Sequence, residues 1–419
     1  MQPYTALTLP NGTVIPNRLA KAAMEENMAD KEHAPSEELI RLYQSWADGG
    51  VGLMITGNVM IDGRAMTGPG GVVLDSDRFG ARFAQWSAAA RSKGAHIWMQ
   101  INHPGRQMPA AMGQETLAPS AVPMDLGNFS RQFAAPKAMT EADIADVKAR
   151  FVRAAQLAER FGFTGVQIHA AHGYLISQFL SPITNKRADR WGGSLENRAR
   201  LLVDVVQEVR QAVGKGFAVA VKLNSADFQK GGFSADDARK AVAMLNPMGV
   251  DLIELSGGSY EAPAMHGQTR DGRTLAREAY FLEFAKDIAT VARMPIMVTG
   301  GIRRYQVVQQ VLDSGIAMAG MGTALALDPQ LPATWRSDPS ASPLLRAITW
   351  KNKVLSSIAY MAMVKYQLRR LSQGKRTRPD VAPALALLIQ QVETMLRNRQ
   401  YRRRMRKQAV AVQGAALAR

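Results

Sequence analysis

Two histidines and a tyrosine crowd into six residues, His169-Ala-Ala-His172-Gly-Tyr174. At the mouth of a strand, two imidazoles three residues apart can hydrogen-bond one small polar ligand from different directions. A tyrosine, with an ordinary pKa of ~10, is protonated at neutral pH and can hand over its proton. The same histidines can also be read as satisfied core residues. A metal site is not expected, because the chain has no cysteine and offers no convincing third ligand beside the pair. Lys222 interrupts the apolar run Ala218-Val-Ala-Val-Lys-Leu-Asn224. Such a cation can stabilise a developing anion, form a Schiff base, or sit in a buried ion pair. Gln100 offers a fixed donor and acceptor to a heterocycle or to the core. Gly300-Gly301 and Gly320-Met-Gly322 can bring backbone N–H groups close to a phosphate, and two such pairs in succession favour a phosphate-bearing ligand.

These residues fall at the ends of strand-like runs. Eight runs are predicted: Leu19–Met24, Val51–Gly57, His96–Ile101, Gly165–His169, Ala218–Asn224, Leu252–Gly257, Ile296–Gly300 and Ile316–Gly322. Helical patterns such as Glu141–Phe161 and Leu195–Val213 separate them, several introduced by a capping Ser, Thr or Asp. Eight alternating units predict an α/β fold, the closed (β/α)8 TIM barrel, whose active site lies at the C-terminal strand ends. An open dinucleotide-binding sheet is disfavoured, since no G-x-G-x-x-G follows a strand. Thr5 to Ile15, with Asn11-Gly12 between, reads as an N-terminal hairpin able to plug the barrel floor. Asn102 to Met139 reads as a loop subdomain after the third strand.

The 419 residues carry 52 Lys+Arg against 35 Asp+Glu, a net charge of +17. That charge is unevenly placed: residues 345–419 hold 17 basic and two acidic residues, net +15, leaving 35 against 33 for residues 1–344. The Pro-rich stretch Asp338–Pro343 marks a boundary between a near-neutral barrel, 1–343, and a basic helical extension, 344–419. The absence of cysteine excludes disulfides, iron–sulfur clusters and thiolate chemistry, and with an N-terminus unlike a signal peptide it predicts a cytoplasmic protein. Apolar residues at helical spacing in the extension predict helices packed on the barrel or on another subunit. Contact with an anionic membrane is a further reading, and nucleic acid is disfavoured by the scarcity of aromatics among the final arginines.

The order and wording of the longer motifs resemble the Old Yellow Enzyme family of flavin-dependent NAD(P)H oxidoreductases. The likeness runs through Asn17-Arg-Leu-Ala-Lys-Ala-Ala-Met24, Gln100-Ile-Asn-His-Pro-Gly-Arg106, His169–Pro182, Asn185–Ser194 with Arg198, and Val298-Thr-Gly-Gly-Ile302 with Gly322. It implies a TIM barrel holding FMN, with Ala22, Ala23, Met24 and Glu25 along one side of the flavin and Gly57 and Gln100 against its rings. Lys222 would stand at the flavin's anionic edge, and Gly300, Gly301, Gly322 and Thr323 at the phosphate. His169 and His172 would hold a substrate carbonyl, and Tyr174 matches the proton donor. NAD(P)H would reduce the flavin, leave, and be replaced by an electron-poor alkene. Three positions depart from the family: Glu25 replaces Thr or Cys, Lys222 replaces Arg, and Thr323 replaces an Arg. Arg187, Asp189 and Arg198 are expected to brace the loop after strand four. Two other functions compete: a Schiff-base barrel using Lys222 on a phosphorylated substrate, and a scaffold whose basic tail docks on anionic membrane. A homo-oligomer is also open.

Overall fold

A computed structural model of the chain describes residues 1–264 and 278–417. The barrel strands are β3 (Leu19–Lys21), β4 (Leu53–Ile55), β6 (His96–Asn102), β9 (Gly165–Ala170), β10 (Ala218–Asn224), β11 (Leu252–Ser256), β12 (Ile296–Val298) and β13 (Met318–Met321). All pair in parallel, and β13–β3 with β4–β6 close the ring. A short strand β5 (Val59–Met60) adds to β6 beyond the end of β4. Several predicted strands were drawn too long: β3, β4, β12 and β13 stop before Ala22, Gly57, Gly300 and Gly322, which places those residues in the loops of the mouth.

Alternation along each strand divides the barrel. One side chain series turns outward to the helices α1 (Glu37–Asp48), α2 (Gly80–Arg91), α3 (Glu141–Arg160), α5 (Leu195–Ala212), α6 (Ala235–Leu245), α7 (Leu282–Ala289) and α8 (Tyr305–Asp313). The starts of α1, α3, α5 and α6 follow capping chemistry: Ser36 accepts from Leu39 N–H, Ser194 from Asn197 N–H, and Thr140 with Asp143 and Ser234 with Asp237 form reciprocal capping boxes. The other series fills the interior. At the floor, the antiparallel hairpin of β1 (Leu7–Thr8) and β2 (Val14–Ile15) inserts Leu7, Leu9 and Ile15 against Ala20, Leu53, Trp98, Ala218 and Leu252. The hairpin plugs the barrel as its pattern predicts.

Residues 344–417 do not stand apart from the barrel. Between β13 and residue 344 lie the short helices α9 (Thr323–Leu327) and α10 (Leu331–Thr334). The apolar face of α11 (Lys353–Ser372) covers the surface they leave, packing on α1 and α9. Leu345, Met363, Val364 and Leu368 join the barrel's hydrophobic core. α12 (Pro383–Leu417) then runs back along α11, tied to it by Arg369 on Glu393, and its Tyr401 is buried with the hydroxyl donating to Gly63 O at 3.0 Å. Leu385, Leu388, Val392, Met395 and Leu396 of α12 are exposed. No helix among the described residues is long and apolar enough to cross a membrane.

Candidate active site

The interior changes character toward the C-terminal strand ends. Gln100 and Gln167 are register partners on β6 and β9, and the Gln100 amide donates to Gln167 at 2.7 Å. Gln167 donates in turn to Glu254 at 2.7 Å, whose other oxygen takes Lys222 Nζ at 2.7 Å. His169, Lys222 and Glu254 lie side by side on three adjacent strands. All five side chains are buried. Four polar residues in series inside a barrel are tolerable because each amide and charge finds a partner. Lys222 Nζ is thus engaged in a buried ion pair with Glu254, which does not leave it free to attack a carbonyl.

His169 sits at the upper end of this row. Its Nδ1 accepts the Ala171 N–H at 3.2 Å, which leaves the ring proton on Nε2. Burial, reinforced by the Lys222 charge, holds its pKa well below the ordinary histidine value, so the ring is neutral and donates from Nε2. Past β9 the chain reverses through left-handed His172 (φ 61°) and Gly173 (φ 74°). His172 is an uncommon non-glycine residue in that conformation, and its N–H is held by Asn224 Oδ1 at 3.1 Å. The turn sends the His172 ring back across the mouth, where Nε2 meets Ser256 Oγ at 2.8 Å.

Tyr174 completes a triangle. Its ring centroid is 4.8 Å from that of His169, and the two histidine rings are 5.0 Å apart. The Tyr174 hydroxyl lies 3.0 Å from the hydroxyl of Tyr260 and receives the Asn58 amide at 3.4 Å. Burial, then Tyr260 and Glu25, push its pKa well above the ordinary tyrosine value, so it is a proton donor throughout the neutral range.

The expected ligand-holding residues ring the same mouth. Gly300 (φ 122°) and Gly301 (φ 72°) turn at the end of β12 under Tyr280, whose hydroxyl would lie 2.5 Å from a Cβ on Gly301. Gly322, by contrast, has room for a Cβ, which would make only van der Waals contact with the Met24 side chain at 3.7 Å. Thr323 follows it and accepts the Tyr360 hydroxyl at 3.2 Å. Gly57 is a glycine for an internal reason: a Cβ there would meet Glu26 at 2.0 Å and Met24 O at 2.2 Å. Ala22 is buried at the end of β3, while Ala23 and Met24 are partly exposed beside it. Glu25 lies next, its oxygens taken by Thr67 at 2.5 Å and Lys365 at 2.9 Å. The buried Lys222, the buried Gln100 amide and the glycine turns at the ends of β12 and β13 form a donor set that fits a heteroaromatic ring system carrying a phosphate. Among the described residues no cluster of His, Asp or Glu could hold a metal.

Sequence reasoning missed Glu254, Tyr260, Tyr360 and Lys365. Glu254 alone had a visible signal, since it stands two residues before the end of its strand as Lys222 does in the preceding one. The Arg187 set braces as expected: Arg187 pairs with Asp189 and donates to Pro119 O and Met139 O, and Arg198 donates to Leu180 O.

The model of the NADH:flavin oxidoreductase / NADH oxidase family matches residues 4–339. The chain is 36% identical over 350 residues to an NADH-dependent flavin oxidoreductase, iliE, of Hypocrea jecorina, covering 78% of this chain and 87% of that one. A protein of the same description from Neonectria sp. is 36% identical over 361 residues, 80% of this chain, but the chain spans only 47% of its length. Among solved structures, the old yellow enzyme homologue from Zymomonas mobilis superimposes with a TM-score of 0.70 at 25% identity, covering 82% of this chain and 94% of that one.

Proposed function

The chain belongs to the NADH:flavin oxidoreductase / NADH oxidase family, and we propose that it is an ene-reductase, acting on α,β-unsaturated carbonyl compounds or similarly electron-poor alkenes. FMN, when bound, supplies the electron chemistry: a hydride taken from NAD(P)H is passed to the alkene's β-carbon. Gln100 and Lys222 would hold the ring system, and Gly300, Gly301, Gly322 and Thr323 the phosphate, with Ala22 to Glu25 and Gly57 alongside.

The observation that carries the reading is the His169, His172 and Tyr174 group, in which the His172 and Tyr174 rings stand 5.0 Å and 4.8 Å from that of His169. Neutral His169 donates Nε2–H to the substrate carbonyl, and His172, its ring fixed by Ser256, meets the same oxygen from the second side. Donors held in place before the charge develops stabilise it without reorganisation. Tyr174 then gives its proton to the α-carbon, which balances the incoming hydride and saturates the bond. Tyr260, partly exposed and 3.0 Å from Tyr174, can return a proton to it from solvent.

The test is a visible spectrum of the purified protein, before and after anaerobic NADPH and then 2-cyclohexenone. The expected result is a yellow protein that bleaches with NADPH and recovers with the enone. A protein that shows no flavin band even after FMN is added defeats the reading.

A further inference from the structure

The basic extension reaches the mouth of the barrel. Helix α11 sends two side chains, five residues and about 7.5 Å of helix apart, to two different strand-end loops. Lys365 Nζ meets Glu25 Oε2 at 2.9 Å, beyond β3, and Tyr360 Oη meets Thr323 Oγ1 at 3.2 Å, beyond β13. β3 and β13 are neighbours in the barrel, and Met24 bridges their loops beside Gly322. Lys365 is buried, an uncommon setting for an ammonium unless it is paired. These contacts fall on Glu25 and Thr323, two of the three positions that differ from what the family resemblance implies.

We propose that α11 is a built-in part of the cofactor site, with Lys365 and Tyr360 as positioning residues that offset the Glu25 and Thr323 departures. This rests on the proposed FMN site. A carboxylate at Glu25 places negative charge beside Tyr174, Tyr260 and the flavin, where reduction adds electrons. Lys365 and Thr67 occupy both oxygens of that carboxylate and make the local unit neutral. Burial on its own would raise the Glu25 pKa, but the Lys365 charge, the Thr67 hydroxyl and Asn27 hold it below the ordinary value, so Glu25 stays a carboxylate. At the other end, Thr323 presents a hydroxyl where the family resemblance implies an arginine beside the phosphate. By accepting from Tyr360, Thr323 keeps its own proton free to point toward the Gly322 cradle.

The test uses the full chain. In Lys365→Met the potential of bound FMN, measured by anaerobic titration against a reference dye, is expected to shift negative, because the buried Glu25 charge loses its counter-ion. Lys365→Arg is expected to restore it, and so is Glu25→Gln placed in the Lys365→Met background. Tyr360→Phe is expected to raise the FMN dissociation constant by roughly threefold to tenfold, the worth of one hydrogen bond, with the potential unchanged. Circular dichroism verifies that each variant is folded, and the double variant supplies the readout if Lys365→Met alone is not. If the parent protein binds FMN and the potential is the same in the parent, Lys365→Met and the double variant, α11 is only a structural brace and the proposal falls. A parent protein that binds no FMN instead overturns the functional reading beneath it.

Discussion

The two ends of one barrel interior hold side chains of opposite kinds. At the floor, Leu7, Leu9 and Ile15 of the hairpin press on Trp98, Leu53 and Leu252, and nothing in that layer could act on a substrate. At the mouth, the same strands present Gln100, His169, Lys222 and Glu254, every one buried and hydrogen-bonded. The strands are continuous between the two layers, so the difference arises from which residue stands at each inward position. Burial of apolar area fastens the lower layer, and partnered polar groups, costly to desolvate and valuable only in place, arm the upper one. Damage at the floor should therefore appear as lost stability and damage at the mouth as lost chemistry.

The sharpest separation is expected from Tyr174→Phe. Reoxidation of the reduced enzyme by an enone should slow by about a hundredfold or more, while reduction by NADPH and the melting temperature stay near the parent's. Stopped-flow absorbance of the two half-reactions measures this, and equal slowing of both would dissolve the distinction. Trp98→Ala, at the floor, should do the converse, costing about 3–5 kcal/mol of unfolding free energy in urea while the residual folded protein still turns over. Next comes acid sensitivity. Burial lowers the pKa of His103 to about 4, so the unfolded chain binds a proton that the folded one refuses between about pH 6.5 and 4. Stability should fall as pH drops through that window and level off below it. His103→Gln should flatten part of the slope in melting curves taken at successive pH values. The smallest effect is expected far from both layers: Ser36→Ala removes the cap of α1 and should cost about 1 kcal/mol with no change in either half-reaction.

Much of this division could be read from the residues. Eight strand-like runs, the hairpin with its Asn-Gly turn, and the His169 to Tyr174 block are local patterns, and the structure keeps them. What escaped were groups whose meaning depends on contact across the fold. Tyr260 matters because its hydroxyl meets that of Tyr174, 86 residues away in sequence. Lys365 and Tyr360 lay inside an amphipathic, basic stretch, where a lysine looks like one more solvated charge, and only the shortness of α9 and α10 explains why that helix is drawn onto the barrel. Strand lengths were overestimated for a related reason: apolar residues continue past the last ladder bond, and the loops of the mouth bury them as well.

The closure of the ring also has a bearing on time. Leu19 to Lys21 must wait to pair with residues 319–321, and α1 must wait for α11, so contacts near the beginning of the sequence are completed about 300 positions later. A chain emerging from the ribosome would hold its first strand unpaired on one side through most of synthesis, an exposed edge in a slow, high-contact-order topology. The early hairpin, whose strands pair with each other from the outset, gives that waiting segment a local anchor before any barrel exists.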